Sequence, residues 1–464
     1  MNCPKNIDDY YRIIEEKFYI KKGINKKNEL ARLLFEICKK NNISLNKILE
    51  NRDIKKYIKD KEYNFKKIKN ILIKLRYNEN ISIDNIYLPP LKFYNSRRVY
   101  KFNGSLSPEK IYVEREALNY NLTDKILKKF PEKEIIIIDK VKELKRNWKE
   151  YIETIGKNEL FLVKESFDVF KPCPCSKNMV SCGYFIFNLG FGCPFDCSYC
   201  YLQHYTNFPG IIFQVNIEEI LNKLDIILNK VKSKVLRIGT GEFTDSLAYD
   251  DISEYSKYIV PFFAEREHIL ELKTKSTKIG NLLDLNHNNR TVVSWSLNTP
   301  YIIEKEELFT PSLEERLKAA KEVIKAGYKV GFHYDPIVFY ENWEKDYKET
   351  IDKMFDYAKD NILWISLGTL RFHRDLKVII ERRFPNNVIL DGDLFIDNYD
   401  KKMRYSSKLR EYMLKRIYNY IKSKDKKVVV YICMENYSLW NKISPSFLES
   451  KEGEHLGIHY FIHS

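Results

Sequence analysis

No stretch of 18 apolar residues occurs in the 464-residue chain; the densest short run, EIIIID at 134–139, has the length of a strand. A membrane-spanning helix is therefore not expected. The first residues, MNCPKNIDDYYRIIEEKFYIKK, carry too many charges for a secretory leader. Cysteine is scarce: nine residues, an odd number in a long chain, argue against a disulfide framework and for a reducing, cytoplasmic setting. No internal repeat is apparent. What remains is the composition of a folded protein, 44% hydrophobic and 14% aromatic, long enough for two or three domains.

Positive charge is unevenly spread. The net charge is +15, and residues 1–110 hold 26 Lys and Arg against 13 Asp and Glu. The excess thus sits in the N-terminal quarter, as expected either of a region meeting a polyanion, nucleic acid first, or of a lysine-rich solvated helical surface. Over 28–78 the apolar residues recur at helical spacing: Leu30, Leu33, Leu34 and Ile37, then Phe65, Ile68, Ile71, Leu72 and Leu75. Ser44 reads as a helix N-cap. The expected organisation is a basic helical module at 1–86 and a Pro- and Gly-punctuated linker at 87–110. An N-terminal cap at 111–182 follows, then a β/α domain at 183–435 and a C-terminal tail at 436–464.

IYVEREALNY and the residues after it read as a helix, a proline break and a short buried strand at 134–139. Beyond residue 210 strand and helix patterns alternate. Strands are expected at 235–239, 269–274, 292–297, 329–333 and 363–367, with a last one in KVVVYIC; helices are expected at 217–231, 313–326, 345–359 and 404–421. Such alternation predicts an α/β fold with a parallel sheet, open or closed as a full or partial barrel.

The loop NLGFGCPFDCSYCYLQHY places Cys193, Cys197 and Cys200 within eight residues. Three thiolates from one tight loop can bind three irons of a 4Fe–4S cube and leave the fourth iron open, whereas a structural cluster takes four cysteines. A zinc site completed by Cys173, Cys175, Cys182 or His204 is the alternative, although only the pair at 197 and 200 has zinc-knuckle spacing. The CxxxCxxC spacing with an aromatic before the third cysteine resembles the signature of radical S-adenosylmethionine (SAM) enzymes. The next strand ends in GTGEFTD, where such enzymes carry a Gly-Gly-Glu-like element. This makes Gly239, Gly241 and Glu242 candidates for holding the SAM ammonium group.

The surrounding blocks are more specific. YVEREALNY, GCPFDCSYCYLQHY, ELKTKSTKIGNLLDL, VSWSLNTPYIIEKEE and LGTLRFHRDLKVIIERRFP resemble, in order, blocks of the spore photoproduct lyase family over roughly 110–435. That resemblance implies a partial (β/α)6 radical SAM barrel, a 4Fe–4S cluster on Cys193, Cys197 and Cys200, and SAM beside Tyr199; Lys275 and Ser296 fall in strand-end blocks where the family contacts SAM, an ordinary surface lysine and a core serine being the alternative. It also implies a 5′-deoxyadenosyl radical, a reducing partner such as flavodoxin or ferredoxin, and carbon–carbon lyase action on a thymine dimer in DNA. Tyr201 and Tyr205 could stack on a base or pack within the loop. His333, Asp335, Arg371 and His373 fall at predicted strand ends.

One departure stands out. The family's hydrogen-donor cysteine follows the strand that here reads RIGTGEFTDSL, and Glu242 and Phe243 occupy the place. The spare thiols are Cys173, Cys175, Cys182 and Cys433, any of which could serve as donor, bind a second metal or be buried small residues. Three readings stay open: a DNA lesion lyase, a radical SAM enzyme acting on RNA, a nucleotide or a peptide, and a nucleic-acid-binding protein with a structural metal.

Overall fold

The computed structural model describes residues 3–61, 63–77, 85–93, 103–144, 159–165, 169–175, 179–205, 210–231 and 235–444. The chain forms two compact units, Met1–Arg97 with Phe372–Ser406, and Arg98–Arg371 with Ser407–Ser464. Residues 372–406 fall by pattern within the expected barrel at 183–435, yet they cluster with the N-terminal helices. Part of the linker expected at 87–110, residues 94–102, and the tail beyond 444 lie outside the described residues.

In the larger unit seven parallel strands form one curled half-barrel sheet. In order they are Tyr184–Phe187, Arg237–Gly239, Ile269–Thr274, Thr291–Ser296, Lys329–Ile337, Ile362–Thr369 and Val429–Ile432. Every neighbouring pair is parallel, and a short strand, Phe170–Pro172, runs antiparallel on the outer edge of the first. All six residues of the fourth strand are buried, as a parallel strand covered on both faces requires. Helices cross between strands, and Leu313–Lys325 is typical: Ser312 and Glu315 close a capping box at its start. The strand order and right-handed β/α repeat place the strand C-termini, and the loops that follow them, on one rim.

A second sheet of this unit has the order Glu134–Ile138, Lys110–Glu114, Glu159–Val163, Ile211–Gln214 and Gly190–Phe191. It corrects two expectations. Residues 110–114 form a strand rather than the start of a helix, because Ile111 and Val113 alternate into the core; a helix follows only at Asn121–Leu127. The strand at 134–138 is not buried. It is the outermost strand, paired only with 110–114, and Ile135 and Ile137 are about half exposed.

The smaller unit packs helices Ile7–Glu16, Ile24–Asn41, Leu45–Leu49, Arg52–Lys59 and Phe65–Arg76 around a core that includes Tyr10, Leu33, Leu34, Ile37, Ile68 and Leu72. Ser44 caps the third helix by accepting from the Lys47 amide. Residues 372–406 supply the helix Leu376–Arg383 and a hairpin of Phe395–Ile396 with Lys402–Arg404. They also supply acids to the basic helices: Glu381 pairs with Arg32, and Asp393 with Lys40 and Arg76. Glu36 sits at the centre, 2.7 Å from Lys377 and 3.1 Å from Arg76.

Candidate active site

The first barrel strand ends at Phe187, and the cysteine loop leaves from its C-terminal end. Glycine makes the exit possible. Gly192 has φ +93°, and a Cβ on Gly190 would stand 2.4 Å from the Ile212 carbonyl oxygen. Backbone bonds then hold the loop from two sides. The Gly192 amide donates to Phe243 at 2.9 Å and the Ser198 amide to Glu306 at 2.8 Å. Asp196–Cys197 pairs antiparallel with Glu307–Leu308, in the loop after the fourth barrel strand. Tyr201 donates its hydroxyl to the Glu242 carbonyl. Cys193, Cys197 and Cys200 are brought together around one cavity, also lined by Gly192, Phe195 and Gln203, with Phe195, Tyr199, Ala248 and Phe309 packed about them.

The electrostatics centre on Glu307. Its carboxylate accepts from Tyr199 and from Arg316 at 2.7 Å, and from Asn298 at 3.3 Å. Burial works to protonate Glu307, but Arg316 and Lys275 outweigh it and hold the carboxyl below its usual range. Lys275 is the counterpart. Burial opposes its charge, yet Glu307 and Cys197 raise its pKa, and its ammonium lies 6.0 Å over the Tyr199 ring. Burial pushes the Cys197 thiol well up, with Lys275 pulling the other way. Asp245 fixes the approach to this lysine: it accepts from Thr274 at 2.6 Å, from the Lys275 amide at 2.7 Å and from the amides of Leu247 and Ala248.

The other candidates fall as follows. Glu242 lies beside the loop, held by Lys171 at 3.3 Å and Asn188 at 3.1 Å. Gly239 and Gly241 are tight for packing reasons: a Cβ would stand 1.7 Å from the Tyr184 hydroxyl and 3.1 Å from Lys273 Cβ, respectively. Ser296 is buried at the end of the fourth strand, and its carbonyl accepts from Arg316. His333 is a satisfied interior histidine 2.7 Å from Glu271; burial lowers its pKa to about 4, so the neutral ring donates to the carboxylate. Asp335 and Arg371 form a two-pronged pair at 2.7 and 3.0 Å. The four spare thiols are brought together, each in electrostatic range of the others. Sequence patterns miss Glu307, Arg316 and Asp245, whose contexts, EKEELF, EERLK and EFTDS, read as solvated or turn-forming.

The three loop thiols suit an iron–sulfur cluster better than a lone zinc. No three cysteine sulfurs lie within 4.8 Å of one another among the described residues. A tetrahedral zinc, at about 2.3 Å to each sulfur, would hold its thiolates roughly 3.8 Å apart. The family model for spore photoproduct lyase matches residues 106–443. The chain belongs to the spore photoproduct lyase family. The spore photoproduct lyase of Clostridium acetobutylicum is 30% identical over 286 residues, which span 60% of this chain and 82% of that one. That of Bacillus subtilis is 29% identical over 289 residues, with the same coverages. A solved spore photoproduct lyase variant with bound AdoMet and dinucleoside spore photoproduct superposes with TM-score 0.62 at 25% identity, covering 70% of this chain and 99% of that one. The spore photoproduct lyase match thus takes in both sheets of the larger unit. It leaves out the helices before residue 106. Among the described residues no helix is long and apolar enough to cross a membrane.

Proposed function

We propose that this chain is a radical SAM iron–sulfur lyase that acts on damaged pyrimidines in DNA, drawing electrons from a flavodoxin- or ferredoxin-like donor. The observation that carries the proposal is the three-thiol loop at the strand-end rim of a spore photoproduct lyase barrel, locked by Tyr199, Lys275, Glu307 and Arg316. Cys193, Cys197 and Cys200 would hold a 4Fe–4S cluster. Bound there, the cluster and SAM supply hydrogen-atom abstraction.

The chain's own residues do the positioning. Glu307 orients the Tyr199 ring against the loop and keeps Lys275 charged beside Cys197. Asp245 fixes the backbone that presents Lys275. Glu242, Gly241 and Ser296 are the candidates for contact with SAM. Structures of relatives with AdoMet and dinucleoside spore photoproduct support this assignment of cofactor and substrate class.

One observation favours a second reading, the same chemistry on another substrate such as RNA, a nucleotide or a peptide. Glu242 and Phe243 stand where the family pattern has its donor cysteine, and a carboxylate has no weak S–H bond to give. Anaerobic reconstitution followed by assay with dithionite, SAM and dinucleoside spore photoproduct separates the two. The lyase reading predicts 5′-deoxyadenosine together with loss of the photoproduct. Cleavage of SAM without loss of the photoproduct supports the second reading, and no SAM cleavage at all overturns both.

A further inference from the structure

Nine cysteines divide among three places. Cys3 and Cys38 hydrogen-bond each other in the core of the helical unit, and three occupy the loop. The remaining four come from three separate segments of the larger unit. Cys173 and Cys175 follow the edge strand Phe170–Pro172, Cys182 precedes the first barrel strand, and Cys433 follows the last. Residues 174, 176–181 and 183–432 separate them in sequence, yet all six pairings among these thiols lie within electrostatic reach.

The backbone fixes this convergence. The Cys173 amide donates to the Tyr184 carbonyl at 2.8 Å and the Cys433 amide to Leu367 at 2.7 Å. Between them the Val180 amide donates to Glu435 at 3.0 Å, joining the chain before the first barrel strand to the chain after the last. The surroundings are ion pairs and aromatic rings, Arg371 with Asp335 and Arg237 with Glu271. Arg237 places Nη2 3.3 Å from the Cys182 sulfur, and Arg371 places Nη2 3.5 Å from that of Cys433. Arg237 is enclosed by the rings of Tyr184, Trp364 and Tyr431 at about 5 Å. Its buried Nη1 and the buried Tyr184 hydroxyl have no hydrogen-bond partner among the described residues, although buried donors of this kind are nearly always satisfied.

We propose that Cys173, Cys175, Cys182 and Cys433 are the four thiolate ligands of a second, coordinatively closed iron–sulfur cluster that ties the first barrel strand to the last. Four cysteines close a 4Fe–4S cube completely, so this centre has no open iron and no part in binding SAM. The two guanidiniums supply N–H donors beside ligand sulfurs, and the orphan Nη1 and hydroxyl supply donors for the inorganic sulfides.

The test is a metal count on the full chain. Wild type and a variant with Cys193→Ala, Cys197→Ala and Cys200→Ala are purified anaerobically and reconstituted with iron and sulfide. Iron, acid-labile sulfide and zinc are then measured. The expected result is about eight irons per wild-type chain and about four in the loop variant, which shows cluster absorption but makes no 5′-deoxyadenosine. Adding Cys182→Ser and Cys433→Ser to the loop variant should remove the remaining iron. The same two substitutions in the wild-type loop should lower about eight irons to about four, so a loop variant that fails to fold still leaves a readable experiment. A folded loop variant without iron, or about four irons in wild type, would overturn the proposal. One zinc in place of iron would overturn the iron–sulfur assignment. None of these outcomes depends on which substrate the enzyme takes.

Discussion

Glu307 shows how a residue can be decisive and still be hidden in a charged run. In EKEELF it looks like any solvated glutamate, but it is almost fully buried and answers two cations, the buried Arg316 and the half-buried Lys275. Glu307→Gln keeps the shape and removes the charge, leaving both cations without their counter-ion. Loss of one partner from a buried ion pair costs about 3–5 kcal/mol. We expect a drop of that order in urea-unfolding stability, with reduced iron uptake at the loop. Unchanged stability and iron content would show that Glu307 does not organise the site. The cysteines were legible because their spacing is itself the chemistry. Arg316 was not, because the amphipathic pattern of 313–325 fixes where a helix lies but not that its single arginine turns inward to two carbonyls and a carboxylate.

Elements were easier to read than their partners. The strand at 269–274 was bounded to the residue by its alternation, and the other barrel strands to within a few residues, because β-branched runs between polar turns leave little choice. Exposure was misjudged at 134–138: an apolar run looks the same in the middle of a sheet and at its edge. Pairing across the chain was also invisible, and the helix Leu376–Arg383 illustrates why. It is not among the helices expected from the sequence, and nothing in its residues says that Lys377 meets Glu36. Burial works against the charge of that carboxylate, but Lys377, Arg76 and Arg32 lower its pKa to about 2. The ordinary value is near 4.5, so the stabilisation is complete above pH 4.5 and is lost as pH falls through 2. This corresponds to roughly 3 kcal/mol in all. Unfolding followed between pH 5 and 2 should show this loss in wild type and a flatter profile in Glu36→Gln; identical profiles would remove Glu36 from the account.

On the scale of the whole molecule, the charge asymmetry resolves into two populations. Arg32, Arg76 and Lys40 are spoken for by Glu381, Asp393 and Glu36. Lys55, Lys56, Lys59, Lys66 and Lys67 are exposed on the helices 52–59 and 65–76. If the module meets DNA, these five carry the contact. Replacing all five by Glu should weaken binding to duplex DNA at least tenfold at 50 mM salt and flatten the slope of log affinity against log salt. An unaltered slope would mark them as a solvated surface. Removing the first hundred residues is a poorer probe, since residues 372–406 would be left without the helices they pack on.

The discontinuity of the smaller unit also sets an order of events at the ribosome. Its five helices come before the larger unit in the chain, but Glu381 and Asp393, which answer Arg32 and Lys40 and share Arg76 with Glu36, follow only after about 270 further residues. At about 5–20 residues per second, the nascent helices wait roughly 15–55 s for Glu381 and Asp393. During that interval Arg32 and Lys40 lack the carboxylates that pair with them in the folded unit.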